Sequence, residues 1–144
     1  MDRGYVIIDG ISSADMAFKA KGLTINELFE ICSFALLSIM LENPESVVGN
    51  IEKVINISND SCELLLYEFL NEILYYKDAE QLLLVPKMIN ITISDTYSLS
   101  CHAAGEKISR EKHEFITDVK AVTMHNLKIE FENNWWNAVV VVDV

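Results

Sequence analysis

The sequence predicts an α+β protein: a mostly antiparallel β-sheet, in one layer or two, with two amphipathic helices packed against it. Three observations carry this. Several segments alternate apolar and polar residues with period two. Two stretches combine a helical apolar stripe with an N-cap signal. The chain also closes on Ala138 to Val142, a β-branched run followed by Asp143-Val144, which reads as a strand buried on both faces. At 144 residues the expected organisation is one domain, 1–144, large enough for its own core.

Tyr5 to Ile8 is a short apolar run closed by the turn signal Asp9-Gly10, and Met16 to Ala20 alternates as a second strand. Lys21-Gly22 then turns the chain. Thr24 and Glu27 form a capping box for a helix from Ile25 to Leu41, with Leu28, Cys32, Ala35 and Ile39 as its stripe. Its second half is apolar nearly all round and is expected to be buried on more than one side. Asn43-Pro44 ends it. Val47 to Ile57 reads as a strand. Ser61 with its neighbours caps a second helix to about Tyr76, with Leu66, Leu70, Ile73 and Tyr76 or Lys77 as its stripe. Strands follow at Leu82 to Val85, where Pro86 marks an edge or bulge, at Ile89 to Ser94, and after Asp95-Thr96 at Tyr97 to Ala103. Glu106 to Asp118 lacks periodicity and reads as a loop of functional length. Lys120 to Phe131 alternates again, with Thr123, His125 and Leu127 on one face, before Asn133-Asn134 turns the chain into its last strand.

The net charge of −11 disfavours nucleic-acid binding through the whole surface and favours basic partners or cations. Three widely spaced cysteines form no C-x-x-C pair, which fits a reduced, cytoplasmic setting. No apolar run approaches the roughly 18 residues of a membrane span, and the N-terminus has no signal-peptide pattern. Phosphate-loop, dinucleotide, nucleophile-elbow and zinc-protease motifs are absent from the sequence. His113 is read as solvated and His125 as a hydrogen-bonded core residue, so no nucleophile, base and orienter assemble and no enzyme is expected.

The C-terminus is the chemical feature of note. A stiff strand would hold the Asp143 carboxylate beside the α-carboxylate of Val144, and adjacent anions repel unless a cation or donor lies between them. Hard divalent cations want such oxygen clusters. A carboxylate that simply points into water fits the same residues.

Four blocks of the chain resemble the archease family. They are Ser12-Ser13-Ala14-Asp15-Met16, the helical Leu66 to Tyr75, the stretch running from Gly105-Glu106 through Lys112-His113-Glu114 to Val119–His125, and the terminal Val-Val-Asp-Val. The resemblance implies a non-catalytic activator of an RtcB-type RNA ligase in tRNA splicing and RNA repair, promoting guanylylation and multiple turnover of that ligase. It also implies a divalent cation, calcium or magnesium, on Asp15, Asp143 and Val144. Ser12 stands where the family commonly has His, and Ser13 where it has Thr. The basic residues Lys107, Arg110, Lys112 and Lys120, with His125, are the candidate partner contacts. The alternative is a general chaperone-like or scaffold protein for RNA-modifying enzymes, in which the cation is purely structural. A metal-dependent hydrolase is a third reading and lacks a base.

Overall fold

The computed structural model describes residues 4–9 and 14–144. Gly10 and the Ile11-Ser12-Ser13 connection lie outside the described residues. Among the described residues eight strands and two α-helices, with a one-turn 3-10 helix at Pro44–Ser46, follow in the order β1 (Gly4–Asp9), β2 (Asp15–Gly22), α1 (Ile25–Met40), β3 (Ile51–Asn59), α2 (Cys62–Glu80), β4 (Leu82–Ile93), β5 (Tyr97–Lys107), β6 (Ala121–Val122), β7 (Lys128–Glu132) and β8 (Trp135–Asp143).

Every strand pair is antiparallel. One sheet runs β1-β2-β8-β6, with β7 also on β8; the other runs β3-β5-β4. Each helix touches both sheets, whereas among the described residues no strand of one sheet packs on a strand of the other. The helices therefore fill the space between two sheets, and this is why α1 needs so many apolar positions. Leu28, Phe29, Cys32, Ala35 and Leu36 are completely buried on it, each large aliphatic or aromatic side chain worth about 1.5–3 kcal/mol.

Both helix starts form as their sequences require. The Thr24 hydroxyl accepts from the Glu27 N–H (3.1 Å), and Glu27 Oε1 accepts from the Leu23 N–H (2.9 Å). The Ser61 hydroxyl accepts from the Leu64 N–H (3.1 Å). Pro86 sits on the edge strand β4, where the register with β5 shifts between Pro86 and Met88.

Several boundaries differ from the expectation. Lys21 and Gly22 continue β2 rather than turn. Residues 47–50 are irregular, so β3 begins only at Ile51. Helix α2 continues to Glu80 because Gln81 supplies the left-handed cap (φ 53°) more often given by Gly or Asn. The segment 120–131 is not one strand. From Val122, opposite Val142, to Lys128, opposite Val139, it spends six residues (128 − 122) against three on β8 (142 − 139). The surplus is looped out as a turn containing Asn126 at φ 55°.

Candidate metal centre and its supports

Strand β8 lies inside its sheet, flanked by β2 on one side and by β6 and β7 on the other. Its inward side chains Ala138, Val140 and Val142 are buried, and so is Val141 on the opposite face. This central strand ends at the site. Asp143 is opposite Asp15 in the β2–β8 register, and the Val144 N–H donates to the Ala14 carbonyl (2.9 Å). That bond makes Asp15 and Asp143 a pair that exchanges no main-chain hydrogen bonds with each other. In this geometry Cα atoms approach to about 4.5 Å and side chains are closest. On the other side of β8, the Asp143 carbonyl accepts from the Lys120 N–H (2.8 Å), and the Val141 carbonyl accepts from the Thr123 N–H (3.0 Å). The Val144 side chain packs on the core. Main-chain bonds on both flanks hold the last residues of the chain.

The structure thus brings Asp15, Asp143 and Val144 together. The donors are all oxygens, the set that suits calcium or magnesium and not zinc. Among the described residues no three His, Cys, Asp or Glu side chains converge. Asp143 has no basic side chain within ion-pair distance among the described residues.

Helix α2 holds the β6 flank of this site. The Asn71 amide clamps Val122: its Oδ1 accepts from the Val122 N–H (3.0 Å) and its Nδ2 donates to the Val122 carbonyl (3.2 Å). Lys77, buried at 4% exposure, donates to the Val119 carbonyl and to Asp118 (both 2.9 Å) and pairs with Asp78 (3.0 Å). These contacts fix Lys120 between Asp118-Val119 and Val122. The sequence pattern gives Asn71 no role of its own and places Lys77 only as an alternative member of the α2 stripe. For Lys77 a signal existed, because a lysine in register with Leu66, Leu70 and Ile73 has to bring its own partners into the core.

The candidate partner residues fall into two groups. Lys120 and His125 lie near the Asp143 end of β8, and both are exposed. His125 is not a core residue: it stands in the looped-out turn, its N–H donating to the Thr123 hydroxyl (3.3 Å). Lys107 and Lys112 are tied down elsewhere, Lys107 to the Glu80 carbonyl at the end of α2 (2.8 Å) and Lys112 to Glu106 (2.8 Å). Arg110 has no hydrogen-bond or ion-pair partner among the described residues. It lines a cleft of about 340 Å³ with Lys77, Asp78, Phe115, Ile116 and Asp118.

His113 is the second histidine placed differently from expectation: it is 2% exposed. Its Nδ1 accepts from the Ser109 N–H (2.9 Å), so Nε2 carries the proton donated to Glu106 Oε2 (3.1 Å). Glu106 also accepts from the Val48 N–H (2.9 Å). Partial desolvation pushes the Glu106 carboxyl up, but the hydrogen bonds from Lys112, Val48 and His113 and the Lys112 charge pull it down to about 2. The apparently unstructured segment is thereby pinned at its start. Gly105 just before it admits no side chain, since a Cβ there would collide with the Leu83 carbonyl.

Comparison with known proteins follows the same architecture. The family model of the archease protein family matches residues 5–144. Protein archease of Pyrococcus furiosus is 36% identical over 134 residues, covering 92% of this chain and 94% of its own. Protein archease of Methanosarcina mazei is 32% identical over 134 residues, covering 92% and 91%. The solution structure of Methanobacterium thermoautotrophicum protein 1598 superposes with a TM-score of 0.83 at 31% identity, over 98% of this chain and 99% of that one. The crystal structure of a Thermotoga maritima protein, described as an archease and possible chaperone, shares the fold with a TM-score of 0.60 at 20% identity, over 92% and 93%.

Proposed function

This chain belongs to the archease family, and from that premise we propose that it is a non-catalytic activator of an RtcB-type RNA ligase in tRNA splicing and RNA repair. In this reading it promotes guanylylation and multiple turnover of the ligase and carries a divalent cation, calcium or magnesium, on Asp15, Asp143 and Val144. The observation that supports it best is the facing of Asp15 and Asp143 beside a chain end held by the Ala14 carbonyl. When bound, the cation neutralises crowded carboxylates at one end of the sheet. The chain's own residues do the positioning: β8 fixes the oxygens, while Asn71 and Lys77 fix the segment that carries Lys120. Lys120 and His125 then border the docking surface.

The test is multiple-turnover ligation of a cleaved RNA by the ligase, with and without this protein. Activation is expected with the native chain and is lost with Asp143→Ala while folding is retained. No gain in turnover overturns the activator role. Normal activation by Asp143→Ala overturns the site.

A second reading has its own observation. Arg110 and the 58%-exposed Ile116 stand on an open cleft, as a general chaperone-like or scaffold protein for RNA-modifying enzymes would require, with a cation that is purely structural. Under that reading Arg110→Glu abolishes partner binding, whereas Asp143→Ala lowers stability alone.

A further inference from the structure

An open edge of the larger sheet is distinct from all of this. Among the described residues, β1 pairs with β2 and with no other strand. The Val144–Ala14 bond sets the alternation of the ladder: residues 17, 19 and 21 of β2 turn their main-chain groups toward β1. Their partners there are Ile8, Val6 and Gly4. Tyr5 and Ile7 therefore turn their N–H and C=O groups outward, to the open edge, while their side chains pack on the core.

Exposed edges are ordinarily blunted by charge, proline or brevity. The other edges of this protein follow that rule. β4 has Pro86 and Lys87 at its register shift, β3 has Glu52 and Lys53, β7 has Lys128, Glu130 and Glu132, and β6 is two residues long. From Gly4 to Ile8 the edge β1 has no charge and no proline, and Val6 is 48% exposed.

Beside that edge lies a cleft of about 380 Å³ between β1, α1 and β4, lined by Tyr5, Ile31, Phe34, Val85 and Pro86, with Glu30 among them. The lining is mostly apolar, with Ser33 and one charged group, the Glu30 carboxylate, which has no cationic partner among the described residues. Burial, and then the neighbouring Glu27, push its pKa up.

We propose that β1 and this cleft form a docking site for an extended segment of another protein, which adds to the sheet as a strand on Tyr5 and Ile7, seats an apolar side chain against Phe34 and Ile31, and sets a Lys or Arg against Glu30. The mode is strand addition, in which main-chain bonds give affinity and alternate side chains give specificity. A second copy of this chain is the poorer occupant. Two chains of net charge −11 repel, and β1 of a second copy brings no cation to Glu30. Tyr5 lies opposite Ala20 and Ile7 opposite Phe18, five and three residues along β2 from Asp15, and the proposal stands without the ligase-activator reading.

The test uses the full chain and a short acetylated peptide alternating valine and lysine, read by NMR hydrogen exchange at individual amides. In the protein alone, Tyr5 and Ile7 amides exchange fast while Val6 and Ile8 are protected by their bonds to β2. With peptide, Tyr5 and Ile7 become protected by roughly tenfold or more. A valine–glutamate peptide gives no protection. Glu30→Gln weakens the lysine peptide about two- to fivefold, the size of one surface ion pair. N-methylation along one edge of the peptide abolishes binding and along the other does not. Binding of the peptide without protection of Tyr5 and Ile7, equal binding of both peptides, or no effect of Glu30→Gln overturns the proposal. So does protection of these amides in the protein alone as its concentration rises, which would identify a second copy as the occupant. Asp143→Ala leaves the result unchanged, so failure of the cation site is distinguishable from failure of this one.

Discussion

Asp15 and Asp143 stand opposite each other at the end of the β2–β8 ladder, with the Val144 N–H on the Ala14 carbonyl next to them. They are about as far apart in sequence as the chain allows, one at the start of the second strand and one at the end of the last. The antiparallel register places their side chains on one face of the sheet.

In the proposed reading, cation binding depends on this pairing. Asp143→Asn keeps the shape and removes a charge, and is expected to weaken calcium binding at least about tenfold, or about 1.4 kcal/mol. Extending the chain by two glycines after Val144 moves the terminal carboxylate and is expected to do the same. Titration calorimetry of both variants checks this. Undiminished affinity in the extended chain removes Val144 from the ligand set.

Asn71 is expected to matter more than a half-exposed helix residue ordinarily does. Asn71→Leu leaves the Val122 N–H and C=O without the amide that clamps them, a loss of about 1–3 kcal/mol if water does not replace it. Urea unfolding measures the cost. Exchange of the 119–123 amides shows whether the loss is local to β6.

Stability is expected to fall in acid through Glu106. Its folded pKa of about 2 lies below the ordinary 4.5, so the unfolded chain takes up the proton first as pH falls. The contribution is complete above pH 4.5 and is lost progressively between 4.5 and about 2. Thermal unfolding across this window is expected to show a steeper decline for the native chain than for Glu106→Gln, which lacks the titrating group.

Gly105 tests the packing at the root of the 106–118 segment. A methyl group there meets the Leu83 carbonyl, which is backbone and cannot rotate away. Gly105→Ala is expected to destabilise by about 1–3 kcal/mol, as overpacking does, with a lowered midpoint in urea. An unchanged midpoint would show that β4 and β5 separate easily.

Much of this was written in local sequence. Helix starts at Thr24 and Ser61, the edge proline at 86 and the buried terminal run each rest on chemistry between neighbouring residues, and each appears where the pattern put it. His113 and His125 exchanged their expected places because neither environment shows in apolar periodicity. His113 is buried by Glu106 and the Ser109 N–H across a folded segment, and His125 is put outside by a length mismatch against β8.

By itself, then, the sequence determined both helices, most of the strands, the stiffness of the final strand and the presence of acidic residues at its end, since period, capping and β-branching act over a few residues. Tertiary structure decided which distant groups meet: Asp15 with Asp143, Asn71 with Val122, Lys77 with Asp118 and Val119. Strand order and register are set by burial of the whole core, a sum over many side chains that no single stretch contains.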